Sequence, residues 1–409
     1  MPSLSKIDYI ALLCLVAGIF TFEIFRALPG IGLGLLLFSA LTRLKHYKEF
    51  LKRGYFFIPS LIYLLYVANL LLFKTNSPDK VGELLVFYLP YFILPFSLAL
   101  IPPIDRRKLY GLYMFFVILC TLCALGTLVN FAFHYKEIIA SYEHSKVMPT
   151  PVNHVRFSLL ISFAFFAALY FYQERFTLRY AWERPVLLGI AIFLFTYSHI
   201  LSVRSGLLTL YIGLFISTLW LTIRYKRYKL LAIVSAVLIL IPVLSFLLVP
   251  TFTNKVKNTV EDLRQVNVKG SGAHYSMSGR VVSYQVAKEI VKHNLWTGCG
   301  SANLKEEVHT VYERDFPEIV NNGVGVLMPH NQFLYILSGM GIIGLAVFLC
   351  CFYSPLFVKK ANTFPLLRMH YLILSISFLF EATMETQTGS MFALTFVFLP
   401  LLYLKDQHD

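Results

Sequence analysis

The chain has 409 residues, of which 57% are apolar and 14% charged, and it carries a formal net charge of +14. A soluble domain is nearer half apolar and a quarter charged, so the composition excludes an ordinary soluble protein. The basic excess would suit nucleic acid, but these residues stand in short loops between long apolar runs, where a membrane protein keeps them, and a nucleic-acid partner is excluded.

Several apolar runs reach roughly 18 residues or more, enough to cross a bilayer as helices. They lack the period-two alternation of barrel strands. The expectation is an all-α, polytopic membrane protein with about twelve transmembrane helices. The first apolar region, 9–42, breaks at Arg26-Ala27-Leu28-Pro29-Gly30 and predicts two helices. No convincing cleavage site follows the first run, which reads as a span and not a removed signal. Further spans are predicted over 55–73, 84–101, 109–133, 153–172, 185–202, 205–223 and 230–250. After a long polar segment, 251–330, the last spans are predicted over 331–353, 365–383 and 388–404.

With the N-terminus inside, the basic loops at 43–53, 105–108, 174–184, 224–229 and 354–364 all face the cytoplasm. The long segment then falls outside. The chain divides into spans at 1–250, the long extracytoplasmic segment 251–330, and spans with a cytoplasmic tail at 331–409, as one integrated membrane domain. Within the long segment, 278–291 predicts an amphipathic helix. Val282, Val286 and Ile290 recur at i, i+4, and Ser278 is placed to cap its start. Thr297-Gly298-Cys299-Gly300 breaks it, 303–314 predicts a second helix, and 317–329, with Asn321-Asn322-Gly323-Val324-Gly325, a flexible connector. Of the six cysteines only Cys299 lies in this segment, which argues against a disulfide framework or a cysteine metal site. No internal repeat is visible.

A few polar residues could carry chemistry. Arg204 interrupts an apolar region, where a charge is costly and by default functional; equally, it could snorkel to water at a hairpin tip. Arg156 follows Asn153-His154 early in a span and reads as an interfacial anchor or a ligand. Arg280, in the first turn of the amphipathic helix, opposes the helix dipole; it faces an anion or simply solvent. His330 stands between Pro329 and Asn331, where the long segment re-enters the membrane. An imidazole titrates near 6.5 and can act as a general base; the alternative is a polar cap with Asn331 as the true N-cap. Glu381 and Glu385 flank the turn between the last two spans and either orient an arginine or His330 or mark the interface. Glu306, His309 and Glu313 share a helix face, a pattern far more often solvated than metal-binding, and no metal is assigned.

Taken together, these features resemble the O-antigen ligase and polymerase family of the bacterial envelope. The resemblance rests on the layout and on Ser202-Val203-Arg204-Ser205-Gly206, Ser278-Gly279-Arg280, Leu295-Trp296-Thr297-Gly298-Cys299-Gly300, Pro329-His330-Asn331 and Gly341-Ile342-Ile343-Gly344. The clear matches cover about 198–345. The resemblance implies a GT-C-like membrane glycosyltransferase of the bacterial inner membrane, with its site on the periplasmic side. It takes glycan from an undecaprenyl-diphosphate carrier and passes it to lipid A-core, as a ligase, or to another carrier-linked repeat, as a polymerase. By the same resemblance Arg204, Arg280 and, less directly, Arg156 hold the diphosphate and His330 is the base; Asn331, Glu381 and Glu385, from their positions, are expected to support them. No cofactor or metal is needed; the partners are the lipid-linked donor, a glycan acceptor and membrane lipids. A lipid-linked glycan flippase, which would need the cations but no base, is the competing class, and protein O-glycosylation a further transferase option.

Overall fold

The computed structural model describes residues 4–20, 27–75, 78–143, 146–265, 276–321, 326–359 and 361–404. Arg26 in the expected first turn, the Asn322-Gly323-Val324-Gly325 part of the connector, residues 266–275 and the tail beyond 404 lie outside them. All regular structure among the described residues is helical. In chain order the helices are α1 (Lys6–Ala17), α2 (Leu28–Leu41), α3 (Tyr47–Lys52), α4 (Gly54–Leu72), α5 (Pro78–Tyr88), α6 (Pro90–Leu100) and α7 (Arg106–Phe133). Then come α8 (Tyr135–Glu143), α9 (His154–Gln173), α10 (Glu183–Leu201), α11 (Arg204–Tyr225) and α12 (Tyr228–Leu248). The polar segment holds α13 (Pro250–Gln265), α14 (Ser276–His293), α15 (Leu304–Asp315) and α16 (Pro317–Asn321). The chain closes with α17 (Gln332–Tyr353), α18 (Pro365–Phe378) and α19 (Gln387–Leu404).

Each expected span contains a helix. Among the described residues nine are long and apolar enough to cross a membrane, with α5 and α6 together as one. The protein is an all-helical, polytopic membrane protein. Helices α1, α2 and α18, of 12, 14 and 14 residues, fall short of that length. For α18 the reason is local: the helix stops at Phe378 and the chain turns aside to carry Glu381 inward.

One apolar core runs from α1 to α19. Of the α9 and α19 spans 78% and 89% are buried, against 6% of α12, so the first two are central pillars and α12 an outer helix. A smaller core joins α14, α15 and α16 through Val286, Ile290, Leu304, Val308, Tyr312 and Ile319.

Two close approaches position the functional region. The first joins α11 to α9. A Cβ at Gly206 would overlap Ser158, so glycine lets the helices touch. Ser162 Oγ then donates to the Gly206 carbonyl at 2.9 Å, and Thr209 Oγ1 donates to Ser162 Oγ at 3.1 Å. Small and hydroxyl side chains are what draws helices together in lipid. The contact sets the N-terminal ends of both helices, with Arg156 and Arg204, at the same end of the pair.

The second is a break in α17. Gly341 has φ +67° and ψ −172°, a conformation open essentially to glycine alone. The sequence predicts one uninterrupted span here. Instead, 295–300 docks against the break. The Ile342 and Ile343 amides donate to Leu295 and Trp296 carbonyls at 2.8 and 3.3 Å, while the Cys299 and Gly300 amides donate to Ser338 and Gly339 carbonyls at 2.9 and 3.0 Å. Asn69 of α4 completes the clasp, donating to the Gly339 carbonyl at 3.3 Å and accepting from the Ser301 amide at 2.7 Å.

Three expectations within the long segment need correction. Helix α14 begins at Ser276, so Ser278 lies inside the first turn, with its buried hydroxyl unpartnered among the described residues, and does not cap. Arg280 accordingly sits in the second turn. Residues 317–321 of the expected connector are helical, because Pro317 is pre-shaped for a first helical position and Ile319 is buried. The amphipathic helix α13 was not foreseen at all.

Candidate functional site

Beside the N-terminal ends of α9 and α11 lies a cavity of about 340 Å³, roofed by α13, α14 and the 379–380 turn. That size falls in the range of small-ligand sites. Its cationic lining is Arg204, Lys255 and Arg280, with His154 beside them. Val203 at the start of α11 provides no side-chain cap, so the helix presents uncapped amides at this end. Arg204 Nη2 donates to Asp262 Oδ2 of α13 at 3.2 Å. Arg204 Nη1 and the neighbouring Ser205 Oγ are buried and unpartnered among the described residues. Buried donors left open in this way, at a helix N-terminus, fit an anion.

Glu381 stands at the rim. Its carboxylate receives His330 Nδ1 at 3.3 Å and Arg156 Nη2 at 3.4 Å, and lies 3.8 Å from Arg280 Nη2. Burial alone pushes its carboxyl up, but the hydrogen bond from His330 and the charges of Arg156 and Arg280 outweigh burial and hold it below the usual value. With Nδ1 facing the carboxylate, the tautomer assigned from this bond leaves His330 Nε2 as the acceptor, with no partner among the described residues. Tyr284, which lines the cavity, places its hydroxyl 3.0 Å from the His330 carbonyl and 3.1 Å from that of Leu379, locking the histidine loop to α14.

Asn331 is the N-cap of α17: its Oδ1 accepts from the Phe333 and Leu334 amides at 2.9 and 3.0 Å. The cap reading therefore applies to Asn331, and the His330 side chain is free for another role. The structure thus brings Arg156, Arg204, Arg280, His330, Asn331 and Glu381 to one place. Glu385 sits apart, half-buried, accepting from Tyr88 Oη at 2.6 Å, Tyr66 Oη at 3.2 Å and Gln332 Nε2 at 2.8 Å. It anchors Gln332, next to the cap, rather than reaching His330 or an arginine. Arg156 reaches Glu381 and is not part of the cavity wall.

The sequence reading missed Lys255 and Asp262. A signal was present: Lys255, Thr259 and Asp262 recur at i, i+4, i+7, one face of a helix. Burial first, then the charge of Arg204, lowers the Lys255 ammonium to about 8 against the attraction of Asp262. His309 pairs with Glu313 at 3.3 Å, and among the described residues no cluster of three His, Cys, Asp or Glu side chains is spaced for a metal. The cysteines are all unpaired; burial pushes the Cys299 thiol up to about 12, which makes it a poor nucleophile.

Residues 186–349 match the O-antigen ligase family. The matched stretch runs from α10 into α17 and contains Arg204, Lys255, Asp262, Arg280 and His330, while Arg156, Glu381 and Glu385 lie outside it. The family resemblance carried by the motifs is borne out over this segment. An O-antigen ligase match supports an enzyme of the ligase or polymerase type, acting in general on a lipid-linked glycan and an acceptor. A search of curated proteins returns no match.

Proposed function

We propose that the protein is an O-antigen ligase-type glycosyltransferase of the bacterial inner membrane, moving glycan from an undecaprenyl-diphosphate carrier to lipid A-core on the periplasmic side. The observation that carries this reading is the juxtaposition of an anion-ready cationic cavity with a carboxylate-held histidine. The side is supported by the charged loops: Arg106 pairs with Glu174 at 2.6 Å and Arg107 donates to Leu178 at 2.8 Å, which gathers two basic loops at the helix ends away from the cavity.

Arg204 and Arg280 grip the donor diphosphate, arginine being suited to two-point contact with phosphate oxygens. His330 Nε2 takes the proton from the acceptor hydroxyl as its oxygen bonds to the anomeric carbon. The sugar–phosphate C–O bond breaks at the same time, and the electron pair leaves on the lipid diphosphate. Glu381 stabilises the imidazolium that results, and Arg156 keeps Glu381 ionised and in place. The leaving group is already activated, so no nucleotide is required. A flippase needs the cations but has no use for the His330–Glu381 pair, which favours the transferase.

The test is His330→Ala in proteoliposomes with lipid-linked donor. The expected result is a protein that inserts and binds donor but loses roughly a hundredfold to ten-thousandfold in transfer rate. Normal transfer would overturn the base role. A chromosomal deletion separates the acceptors: polymer stranded on carrier with bare core supports a ligase, and single unpolymerised repeats on core a polymerase.

A further inference from the structure

The charges of the described residues around the cavity do not balance. Arg204 is matched by Asp262 at 3.2 Å and Arg280 leans on Glu381 at 3.8 Å. Lys255 has neither a carboxylate nor a hydrogen-bond acceptor among the described residues, although it is only part-exposed and shares the cavity wall with both arginines. A semi-buried cation held among like charges is costly unless an anion joins them.

The charged groups acting on it are Arg204 of α11, Arg280 of α14 and Asp262 on its own helix, with His154 of α9 nearby. The other helices against α13 meet its other faces: Asn258 donates to the Tyr142 carbonyl of α8, and Phe252 stacks on His199 of α10. Helix α12 carries its one charged residue, Lys229, at its far end. Lys255 is therefore a cation pointed at the same space as the two arginines and held by nothing else.

We propose that Lys255 is the third cation of the donor site, and that it answers the negative charge which appears on the diphosphate when the sugar leaves. The chemistry of the proposed reaction, on which this rests, asks for such a group. A diphosphate diester carries one charge on each phosphate, and the donors that Arg204 and Arg280 keep free of their carboxylates are placed to contact its oxygens. Breaking the C–O bond leaves a lipid diphosphate monoester, whose terminal phosphate carries one further developing charge. Arginines paired to carboxylates are anchored in place, whereas an unpaired lysine on a flexible stem can follow that charge. Its titration near 8 means that this help fades in mildly alkaline solution.

The experiment compares the full-length wild type, Lys255→Met and Lys255→Arg in proteoliposomes, using lipid-linked donor and core acceptor from pH 6 to pH 10. The ratio kcat/KM reports groups of the free enzyme. The wild type should show a descending limb near 8, and Lys255→Arg should keep the rate with that limb gone. Lys255→Met should lose about a hundredfold, mostly in kcat, as removal of an oxyanion donor does. Without ligand its thermal midpoint should equal or exceed that of the wild type, because a repelled charge has been removed; a merely structural lysine would show the opposite. Activity of Lys255→Met within twofold of wild type, or a limb near 8 that persists in Lys255→Arg, would overturn the inference. If Arg204→Lys and His330→Ala are inactive while Lys255→Met is normal, only this inference falls. If all of them transfer normally, the roles given to Arg204 and His330 fall with it; if the wild type itself transfers nothing, the transferase reading falls.

Discussion

Replacing Glu381 by Gln keeps the side-chain shape and removes its charge. The carboxylate lies 3.3 Å from His330 Nδ1, and the His330 side chain is 29% exposed. A unit charge pair at that distance is worth roughly 5 kcal/mol at an effective dielectric of about 20, and partial solvent access lowers this toward 3 kcal/mol. His330 becomes cationic only as it takes the acceptor proton, so the loss falls on the transition state. At about 1.4 kcal/mol per decade the expected fall in kcat is roughly a hundredfold to a few thousandfold. The amide adds a second fault. It can turn its NH₂ toward Nδ1 and so favour the tautomer whose Nε2 carries the proton and cannot accept one. Donor binding should hold, because Arg280, relieved of its 3.8 Å partner, remains free to grip phosphate. The assay is steady-state transfer in proteoliposomes with a donor-binding control. A rise in KM at unchanged kcat would refute the reasoning, since it would make Glu381 a donor-site group and not a partner of the base.

Further outcomes follow from the same geometry. Arg204→Lys should retain either the Asp262 contact or the ligand contact but not both, weakening donor binding roughly tenfold to a hundredfold by titration, at about 1.5–3 kcal/mol per charged hydrogen bond. Because Glu381 is held below its usual value, its contribution to stability is complete above the unfolded pKa of about 4.3 and is lost as pH falls through the lower folded value; Glu381→Gln should flatten the acid-side loss of thermal midpoint that the wild type shows. Gly341→Ala would drive a Cβ into the Trp296 and Thr297 backbone at a positive φ, so it should lower the midpoint of the purified protein by several degrees or prevent accumulation. In a Cys299→Ala background, a membrane-impermeant thiol reagent applied from the periplasmic side should label a cysteine placed at Gly270 and spare one at Lys226; the reverse pattern would invert the topology. Chelators should leave transfer by purified enzyme unchanged, and loss restored by a divalent ion would count against arginine-only charge stabilisation.

The spans were legible because apolar length alone decides them. So was the Asn331 cap, a short polar residue placed just before an apolar run. The arginines and His330 were visible as costly exceptions within oily sequence. Their common partner was not. Glu381 is 51 residues from His330 and 225 from Arg156, and nothing local indicates which carboxylate will close such a gap. Glu381 and Glu385 looked equivalent in sequence, yet one faces cations and the other three neutral donors, a difference made entirely by packing. Helix α13 was lost for another reason. Its polar face, Lys255, Thr259 and Asp262, turns inward to a cavity, so the usual equation of polar with loop misreads it. The break at Gly341 was hidden because a glycine inside an apolar run looks like any other small residue.

That break also bears on how the chain is built. A helix normally enters the bilayer with its backbone hydrogen bonds satisfied within itself. Helix α17 is not complete in this sense, since the amides after Gly341 are satisfied by carbonyls of Leu295 and Trp296. Those partners belong to a part of the chain made earlier on the ribosome. The tenth predicted span can therefore reach its final form only on a segment that has already been delivered and folded, with Asn69 of α4 waiting as the third partner. Completion of the last spans is in this way tied to the segment that brings Arg280 to the cavity, and without it the amides after Gly341 would lack these carbonyl partners.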